Sequence, residues 1–481
     1  MITKKVPLYR SKGTVSKQFQ FLQTAFSMNG LLHTIDEVLA WYQEQNAATA
    51  VTIDEIPFSK MDQWRYDKSS FVHDSGQFFR LDGIHIETNW GKVSEWDQPI
   101  INQSEIGFLG FIVKEFHGIL HFLVQAKIEP GNINQVQLSP TLQATRSNYT
   151  QVHKGKKPKY LDYFLKVRQN QILLDQLQSE QGARFLKKRN RNMIIRVDDD
   201  LPVYDNFIWL TLSQIKQMMN YNNVVNMDTR TVISGIPYGN FSKDVINFFT
   251  FLGYNLDSEC TNSSFFQSAL AEEGGLHTID SIITFLTRLK SHYDLTITRK
   301  SLHKLDQWIF DDKGIYHESG KYFKAIAVNV EIDNREKSSW NQPMFRPSQN
   351  GLCALVCKEI NGLIHFAMQA KLECGNQDLI ELAPTVQCLT DNYKNAKLPF
   401  LDYVLEASGS QVIYDTYQSE EGGRFYHEQN RNMIIMAGDE IEVELPEKYI
   451  WMTLNQLYTF LKFNNYLNIQ ARSLIAAISF V

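Results

Sequence analysis

Four polar side chains suited to acid–base chemistry recur along one predicted β-strand and just after it. In the first half of the chain they are His121, Gln125, Lys127 and Glu129, and alternate residues of a strand share a face. The corresponding residues of the second half are His365, Gln369, Lys371 and Glu373. Lysine can stabilise an oxyanion and a carboxylate can remove a proton. The pattern predicts a polar stripe that contacts a ligand, with a structural polar network as the alternative.

The loop that follows this strand carries hydrogen-bonding and cationic side chains. Two of its residues, Asn148 and Tyr149, recur in the second half as Asn392 and Tyr393. Arg146 is replaced there by threonine, and His153 falls in a segment that the second half lacks. The first loop is therefore predicted to hold an anionic group, and a solvated run of charges is the equally weighted alternative.

Arginine and tryptophan residues also recur at matched positions. The pairs are Arg184 with Arg424, Arg191 with Arg431, and Trp64 with Trp308. The arginines can hold an anion, cap a helix or pair with Glu180 and Glu420. The tryptophans can stack on a base or sugar or belong to the core, and both interpretations stay open.

These residues are positioned by an internal repeat. GILHFLVQAKIEPGN begins at Gly118 and GLIHFAMQAKLECGN begins at Gly362, and nine of the fifteen positions are identical. Matching motifs follow in the same order along most of the chain. We therefore predict a first repeat with an N-terminal extension over residues 1–240, a connector over 241–261 and a second repeat over 262–481.

Each repeat is predicted to be a mixed α+β unit. Thr34 and Glu37 have the spacing of a capping box, which predicts a helix after Thr34 and its counterpart after Thr278. A β-hairpin is predicted over 106–128, with His117-Gly118 at its turn and Asn361-Gly362 in the second repeat. Further helices are expected near 179–187, 208–219 and 228–235.

Composition narrows the class of protein. The 481 residues carry a net charge of −5, which argues against a nucleic-acid partner. The first residues lack a signal sequence and no apolar run could span a membrane, so a cytoplasmic location is expected. Cys353, Cys357 and Cys374 could suggest zinc beside His365, but their counterparts are apolar, so buried thiols are predicted.

Taken together, the motifs resemble the NDP-hexose 2,3-dehydratase family. The resemblance rests on LHTID, DQW, W-[DN]-Q-P, HFxxQAKxExGN, PTxQ, SNY, QSExGxRF and NRNM, and it covers nearly the whole chain. It implies a tandem duplication of two Nudix-like mixed-sheet domains, a homodimer, a dTDP-linked substrate, and no metal, flavin or nicotinamide. The QSE segments lack the Arg-Glu-x-x-Glu-Glu core of a Nudix hydrolase box, so metal-dependent hydrolysis is not expected.

The resemblance also implies a reaction, namely loss of the C2 hydroxyl from dTDP-4-keto-6-deoxy-D-glucose after abstraction of the C3 proton. A 3-ketoreductase would then act on the labile diketo product. In the first repeat we assign Glu129 or His153 as base, Tyr149 as acid, Lys127 and Asn148 as oxyanion donors, Arg146 and Arg184 as pyrophosphate ligands, Trp64 as thymine platform, and His121 and Gln125 as substrate contacts. The alternative is a non-catalytic protein that binds or senses a dTDP-sugar.

The matching residues of the second repeat define another possible location. They are Lys371, Glu373, Asn392, Tyr393, Arg424 and Trp308. They are predicted to form an auxiliary nucleotide site, and the alternative is that the reaction takes place there.

Overall fold

The computed structural model describes residues 17–145, 157–238, 261–332, 339–393 and 397–481. The ten α-helices in these residues are α1 Lys17–Phe26, α2 Ile35–Ala47, α3 Leu161–Leu165, α4 Leu212–Met218, α5 Met227–Ser234, α6 Thr261–Leu270, α7 Ile279–His292, α8 Leu401–Glu406, α9 Leu454–Phe460 and α10 Ile469–Ala477. None of them is long and apolar enough to cross a lipid bilayer.

The described residues also form 24 strands. Those before residue 240 are β1 Val51–Ile56, β2 Trp64–Asp67, β3 Ser70–His73, β4 Arg80–Thr88, β5 Glu95–Asn102, β6 Gly107–Phe116, β7 Ile119–Ile128, β8 Val136–Ser139, β9 Leu142–Ala144, β10 Ile172–Ser179, β11 Arg189–Arg196 and β12 Phe207–Leu210. Those after it are β13 Leu295–Lys300, β14 Trp308–Asp311, β15 Gly314–His317, β16 Phe323–Ile332, β17 Ser339–Pro347, β18 Gly351–Ile360, β19 Leu363–Leu372, β20 Ile380–Ala383, β21 Val386–Cys388, β22 Val412–Ser419, β23 Gln429–Met436 and β24 Tyr449–Thr453.

Local signals in the sequence place several of these elements. The Thr34 side chain accepts from the Glu37 backbone N–H and the Glu37 carboxylate accepts from the Thr34 N–H, so the capping box starts α2 as predicted. Thr278 caps α7. The β6–β7 hairpin turns at His117 and Gly118, which both have positive φ, and this confirms the predicted hairpin.

Each repeat builds one large mixed sheet. In the first repeat the order is β10-β11-β6-β7-β12, with β8 on β7 and β9 on β6, and the second repeat reproduces it from β18 to β24. Pairing of β11 with β6 and of β23 with β18 is parallel, and the other pairs are antiparallel. The mixed α+β class is therefore confirmed.

The two smaller sheets exchange strands between the repeats. Strand β1 pairs with β16, so that Val51 lies opposite Ile332. In return β13 pairs with β4, and Leu295 lies opposite Thr88. Each small sheet is thus completed by a strand from the other repeat, which ties the two repeats together along both sheets.

One hydrophobic core also spans both repeats. It joins Phe21, Phe111 and Phe122 of the first repeat to Phe366 and Phe480 of the second. Burial of each such aromatic side chain stabilises the folded protein by roughly 1.5–3 kcal/mol. The repeats therefore share one core in addition to their exchanged strands.

One predicted helix is wrong, and a second, over 208–219, is confirmed only from Leu212 to Met218. Residues 180–188 form a turn between β10 and β11 rather than a helix over 179–187, and residues 207–210 form β12 before α4 begins at Leu212. In the turn, the Gly375 N–H donates to the Gly182 carbonyl of the first repeat at 2.7 Å. This turn is held by a residue far away in sequence. Its own residues therefore show neither a helical nor a strand periodicity from which it could be predicted. The predicted helix near 228–235 is confirmed as α5.

The matching contact in the other direction is equally close. The Gly131 N–H donates to the Gly422 carbonyl at 2.7 Å, and the His427 N–H donates to the Gly131 carbonyl at 2.9 Å. A Cβ on Gly131 would overlap the carbonyl oxygen of Phe425. The glycine of the E-x-G-N motif is therefore needed for contact between the repeats.

Gly131→Ala should destabilise the protein by more than about 3 kcal/mol, beyond the usual range of a point substitution, because a backbone carbonyl must move to admit the methyl group. Denaturant unfolding followed by circular dichroism measures this change. Gly91→Ala is the matched control, since a Cβ there meets no atom within 4 Å of the described chain. Equal stability of the two variants would contradict the proposed role of Gly131.

Candidate active site

A cleft of about 210 Å³ lies where the first repeat meets a strand and a loop of the second. The first repeat contributes the stripe residues Lys127 and Glu129, Glu180 and Lys188 from the turn before β11, and Asp228 from α5. The second repeat contributes Trp340, Asn341 and Gln342 of β17 together with Glu421, Gly423 and Arg424. The cleft is therefore built from both repeats.

Lys127 and Glu129 lie side by side in this cleft, as the stripe predicted. The Lys127 Nζ is 3.8 Å from Glu129 Oε1, and the Gln143 amide donates to the same oxygen at 2.8 Å. The other carboxylate oxygen of Glu129 is buried and has no hydrogen-bond partner in the described residues. A buried acceptor without a partner is costly, so this oxygen is available to a ligand.

Gln143 is itself held in place by α5. Its Oε1 accepts from the Asn226 side chain at 3.3 Å and from the Ser139 hydroxyl at 3.0 Å. Asn226 is also the N-cap of α5, since its side chain accepts from the Thr229 N–H. The cap of the helix that carries Asp228 thus also orients the amide that holds Glu129.

Aromatic side chains form another wall of the cleft. The Trp64 ring lies 5.0 Å from the Phe79 ring and stacks on Phe71, and its Nε1–H donates to the Asn341 carbonyl at 2.9 Å. Trp64 is 7% exposed. It therefore belongs to the core and also lines the cleft, and its stacking on a base or sugar stays a prediction.

Each of the two recurring arginines packs against an aromatic ring of the other repeat. Arg424 of the second repeat lines the cleft, with its guanidinium 4.1 Å from the Phe79 ring and a bond to Gln103 at 3.3 Å. Arg184 lies over Phe323 of the second repeat at 4.0 Å. Grouping Arg184 with Lys127 and Glu129 is therefore corrected. The hydrogen bonds of Gly131 with Gly422 and of Gly375 with Gly182 hold the arginine-bearing turn of each repeat against the other repeat.

Several acids and a lysine of the cleft have shifted pKa values because they are buried. Burial lowers the pKa of Lys188 to about 8, against the opposing effect of Glu180. Burial also raises the pKa of Asp228, and the carboxyls of Glu129, Glu180 and Glu421 raise it further. Perturbed groups that converge in a cleft are typical of functional sites.

Three charged residues of the cleft were missed by the sequence analysis. Lys188, Asp228 and Glu421 correspond in the other repeat to Glu428, Gln470 and Gln181. The signal was present, because aligning the repeats shows a change of charge at each of the three positions. A comparison of the positions that the two repeats share passes over those at which they differ.

The matching residues of the second repeat make comparable contacts. The Gln387 amide donates to Glu373 at 2.9 Å and Lys371 donates to the Gln387 carbonyl at 3.1 Å. Trp308 is 8% exposed and donates to the Asp97 carbonyl at 2.7 Å. A glutamine amide therefore holds Glu373 as another holds Glu129, but the charged residues around the two carboxylates differ.

Asn392 and Tyr393 of the second loop lie in a short 3-10 helix. Asn392 is exposed, and Tyr393 packs beside the core of its own repeat. The corresponding Arg146, Asn148, Tyr149 and His153 of the first repeat lie outside the described residues, so their assigned roles stay predictions.

His121 and Gln125 lie on β7 but do not line the cleft. The His121 ring is fully buried and its Nδ1 is 3.0 Å from the Ile119 carbonyl oxygen. In the second repeat, His365 Nε2 accepts from the Leu276 N–H at 2.9 Å. Of the predicted stripe, the cleft is therefore lined by Lys127 and Glu129, whereas His121 and Gln125 lie outside it.

The cysteines are confirmed as buried thiols. Cys353, Cys357 and Cys374 are free and at most 3% exposed. Within the described ranges, the one group of three potential metal ligands comprises His85, Glu87 and Glu95, on the pair of strands β4 and β5. Cys353, Cys357, Cys374 and His365 therefore do not converge as a zinc site would require.

Comparisons with known proteins agree on one family. The family model for NDP-hexose 2,3-dehydratase matches residues 35–236 and 279–478. A protein of Saccharopolyspora spinosa named dTDP-4-dehydro-6-deoxy-alpha-D-glucopyranose 2,3-dehydratase is 43% identical over 471 residues, covering 95% of this chain and 94% of its own. Proteins of the same name from Amycolatopsis orientalis and Streptomyces violaceoruber are 38% and 40% identical, covering 95% and 91% of this chain and 92% and 96% of their own.

Among solved structures, the crystal structure of an ADP compounds hydrolase is similar to 32% of this chain and 84% of its own. The sequence identity is 14% and the TM-score is 0.23.

The buried acids between the repeats predict a pH-dependent stability. Burial raises the pKa of Glu420 from 4.5 to about 8, and Glu428 and Glu180 add to the rise. The folded protein then keeps a proton that the unfolded chain releases, so the free energy of unfolding should fall between about pH 5 and about pH 7. Glu420→Gln should flatten this slope by up to about 1.4 kcal/mol per pH unit.

Denaturant unfolding at several pH values measures the slope. Replacing the exposed Glu444 by glutamine is the control and should leave it unchanged. A Glu420→Gln variant that keeps the full slope would mean that Glu420 is already ionised in the folded protein.

Proposed function

Because the chain belongs to the NDP-hexose 2,3-dehydratase family, we propose that it removes the C2 hydroxyl of dTDP-4-keto-6-deoxy-D-glucose in deoxysugar biosynthesis. The relatives carry the name of this activity. The enzyme is accordingly a hydro-lyase. The observation that supports the cleft as its site is the pair of Lys127 and Glu129, held among buried ionisable groups.

The substrate's own ketone makes the elimination feasible. The C3 hydrogen is α to the C4 carbonyl and the C2 hydroxyl is β to it. Removal of the C3 proton gives an enolate, which expels the hydroxyl and leaves an enol that tautomerises to the 3,4-diketo-2,6-dideoxy sugar. The redox change is internal to the sugar, so the step needs no hydride carrier.

Glu129 is the proposed base. Gln143 holds one carboxylate oxygen at 2.8 Å, and the second oxygen is buried without a partner in the described part of the chain. The Lys127 ammonium, 3.8 Å from Glu129, is the proposed donor to the C4 oxyanion. A preorganised donor in a buried site typically contributes roughly 2.7–4 kcal/mol to such a step.

The other walls suit the nucleotide. Arg424 lines the cleft and Arg184 does not. The planar guanidinium of Arg424 is therefore the proposed ligand of the pyrophosphate in place of Arg184. Lys188 adds a second cation near it. The Trp64 and Phe79 rings form an apolar wall on which thymine can pack.

The first cleft is the proposed catalytic one because it alone carries Lys188, Asp228 and Glu421. The matching cleft of the second repeat keeps Lys371 and Glu373 but has glutamine at two of the three positions. It is proposed as an auxiliary nucleotide site.

The finer expectations about fold and assembly remain part of this proposal. Each repeat is proposed to be a Nudix-like unit derived by duplication, and the chain is proposed to act as a homodimer in the cytoplasm. The diketo product carries two adjacent carbonyls and is reactive, so a 3-ketoreductase is the proposed next enzyme.

Substitution of the two lysines should separate the clefts. Lys127→Ala should lower kcat by at least 10²-fold because it removes the oxyanion donor. Lys371→Ala should keep turnover within a few-fold of the wild type. Loss of the 4-keto sugar followed by chromatography measures both, and the reverse pattern would place the reaction in the second repeat.

The function itself is tested with purified protein, dTDP-4-keto-6-deoxy-D-glucose, NADPH and a 3-ketoreductase. A dehydratase gives a reduced 2-deoxy sugar, which mass spectrometry detects as the net loss of one oxygen. A non-catalytic binding protein, the alternative, leaves the C2 hydroxyl in place.

A further inference from the structure

Glu421 belongs to the second repeat but enters the cleft of the first. Its loop is anchored where the Gly131 N–H donates to the Gly422 carbonyl. Just before it, the buried Arg230 of the first repeat donates to the Ser419 carbonyl. The main chain on both sides of Glu421 is therefore fixed by the first repeat, which directs its carboxyl into the cleft.

The Glu421 carboxyl lies close to that of the proposed base. Oε1 of Glu421 occupies the space where a Cβ on Gly423 would lie, and Oε1 of Glu129 is 3.4 Å from the same point. The two carboxyl oxygens are therefore near neighbours across the boundary between the repeats. Their approach depends on Gly423 having no side chain.

The second repeat supplies an internal comparison. Its cleft has Gln181 where the first has Glu421, and Ala183 where the first has Gly423. There Gln181 acts to lower the pKa of the Glu428 carboxyl, against the larger effect of burial, and Glu428 is the residue that corresponds to Lys188. The carboxyl and the glycine that makes room for it thus occur together in one cleft and are both replaced in the other.

The surroundings of Glu421 favour a protonated carboxyl. Burial raises its pKa to about 7, and the carboxyls of Glu129 and Glu180 raise it while Arg424 and Lys188 oppose the rise. Two carboxyls close together do not both ionise readily, and one of them keeps its proton. A carboxyl that holds a proton near neutral pH can act as a general acid.

We propose that Glu421 is the general acid that protonates the departing C2 hydroxyl, so that the second repeat completes the active site of the first. This inference rests on the proposed function. Glu129 takes the C3 proton, the C2–O bond breaks with its electron pair, and the oxygen leaves as water with the proton of Glu421. In the tautomerisation that follows, the enol returns a proton to Glu421 and C2 takes the one on Glu129. Both carboxyls end as they began.

Glu421→Gln is the first test because glutamine preserves shape and is the residue of the other cleft. It should lower kcat for the natural substrate by roughly 10²–10⁴-fold. With the analogue that carries fluorine in place of the C2 hydroxyl, the loss should stay below about 10-fold, because fluoride leaves without a full proton. In D₂O the variant should still exchange the C3 hydrogen, whereas Glu129→Gln should not.

A second pair of variants keeps the carboxyl and moves it. Gly423→Ala places a methyl group where Glu421 Oε1 lies and should reduce kcat at least 10-fold. Ala183→Gly makes the reverse change in the other repeat and should leave turnover unchanged. Circular dichroism confirms that all variants are folded.

Each contrary result has a distinct meaning. Glu421→Gln with wild-type turnover, or with fluoride release reduced as much as water loss, would overturn the acid role of Glu421. Wild-type protein that never removes the C2 hydroxyl would overturn the proposed function itself.

Discussion

Two buried arginines that cross between the repeats hold the rest of the structure in place. Arg230 of α5 donates to the Ser419 carbonyl and to the Ser473 hydroxyl, and Arg472 of α10 donates to the Ser179 carbonyl and, at 2.9 Å, to the Thr231 hydroxyl. Both side chains are about 1% exposed. A guanidinium so deeply buried is tolerated only when its donors find acceptors. The repeats are thus constrained to one relative position, and the acidic residues after Ser179 and Ser419 are fixed with them.

This constraint explains why a motif in one repeat serves the cleft of the other. Trp340, Asn341 and Gln342 of β17 line the first cleft. Strand β17 pairs with β16, which in turn pairs with β1 of the first repeat, and this sheet brings the three residues to the first repeat. The Gln342 amide donates to the Gly423 carbonyl at 2.7 Å, so the strand also supports the loop that carries Arg424. A single repeat would therefore lack one wall of its own cleft, and both repeats are needed for the site as well as for the core.

Sequence reasoning recovers what is encoded locally. The capping box at Thr34, the hairpin turn at Gly118 and the pairing of Lys127 with Glu129 follow from spacings of a few residues, and the structure shows all three. The packing of Arg184 and Arg424, each against the opposite repeat, could not be predicted in this way. It depends on the contact of Gly131 with Gly422, and nothing in either local sequence states which distant partner a glycine meets. The burial of His121 outside the cleft could not be predicted for a related reason, because a buried histidine and a ligand-binding one occupy the same strand position.

Differences between the repeats carry the information about chemistry that their similarities do not. The scaffold arginines and the contact glycines are the same in both repeats, since both hold the repeats against each other. The Lys–Glu pair is also the same, so it does not by itself distinguish the two clefts. The changes at Asp228, Glu421 and Lys188 concentrate ionisable groups in one cleft, where burial opposes their charged forms. Grouping carboxyls in this way costs stability, and a glutamine, as at Gln470 and Gln181, would avoid the cost. The first cleft bears this cost at two positions where the second has glutamine, and carboxyls that burial keeps from ionising freely suit a site that both removes and donates a proton.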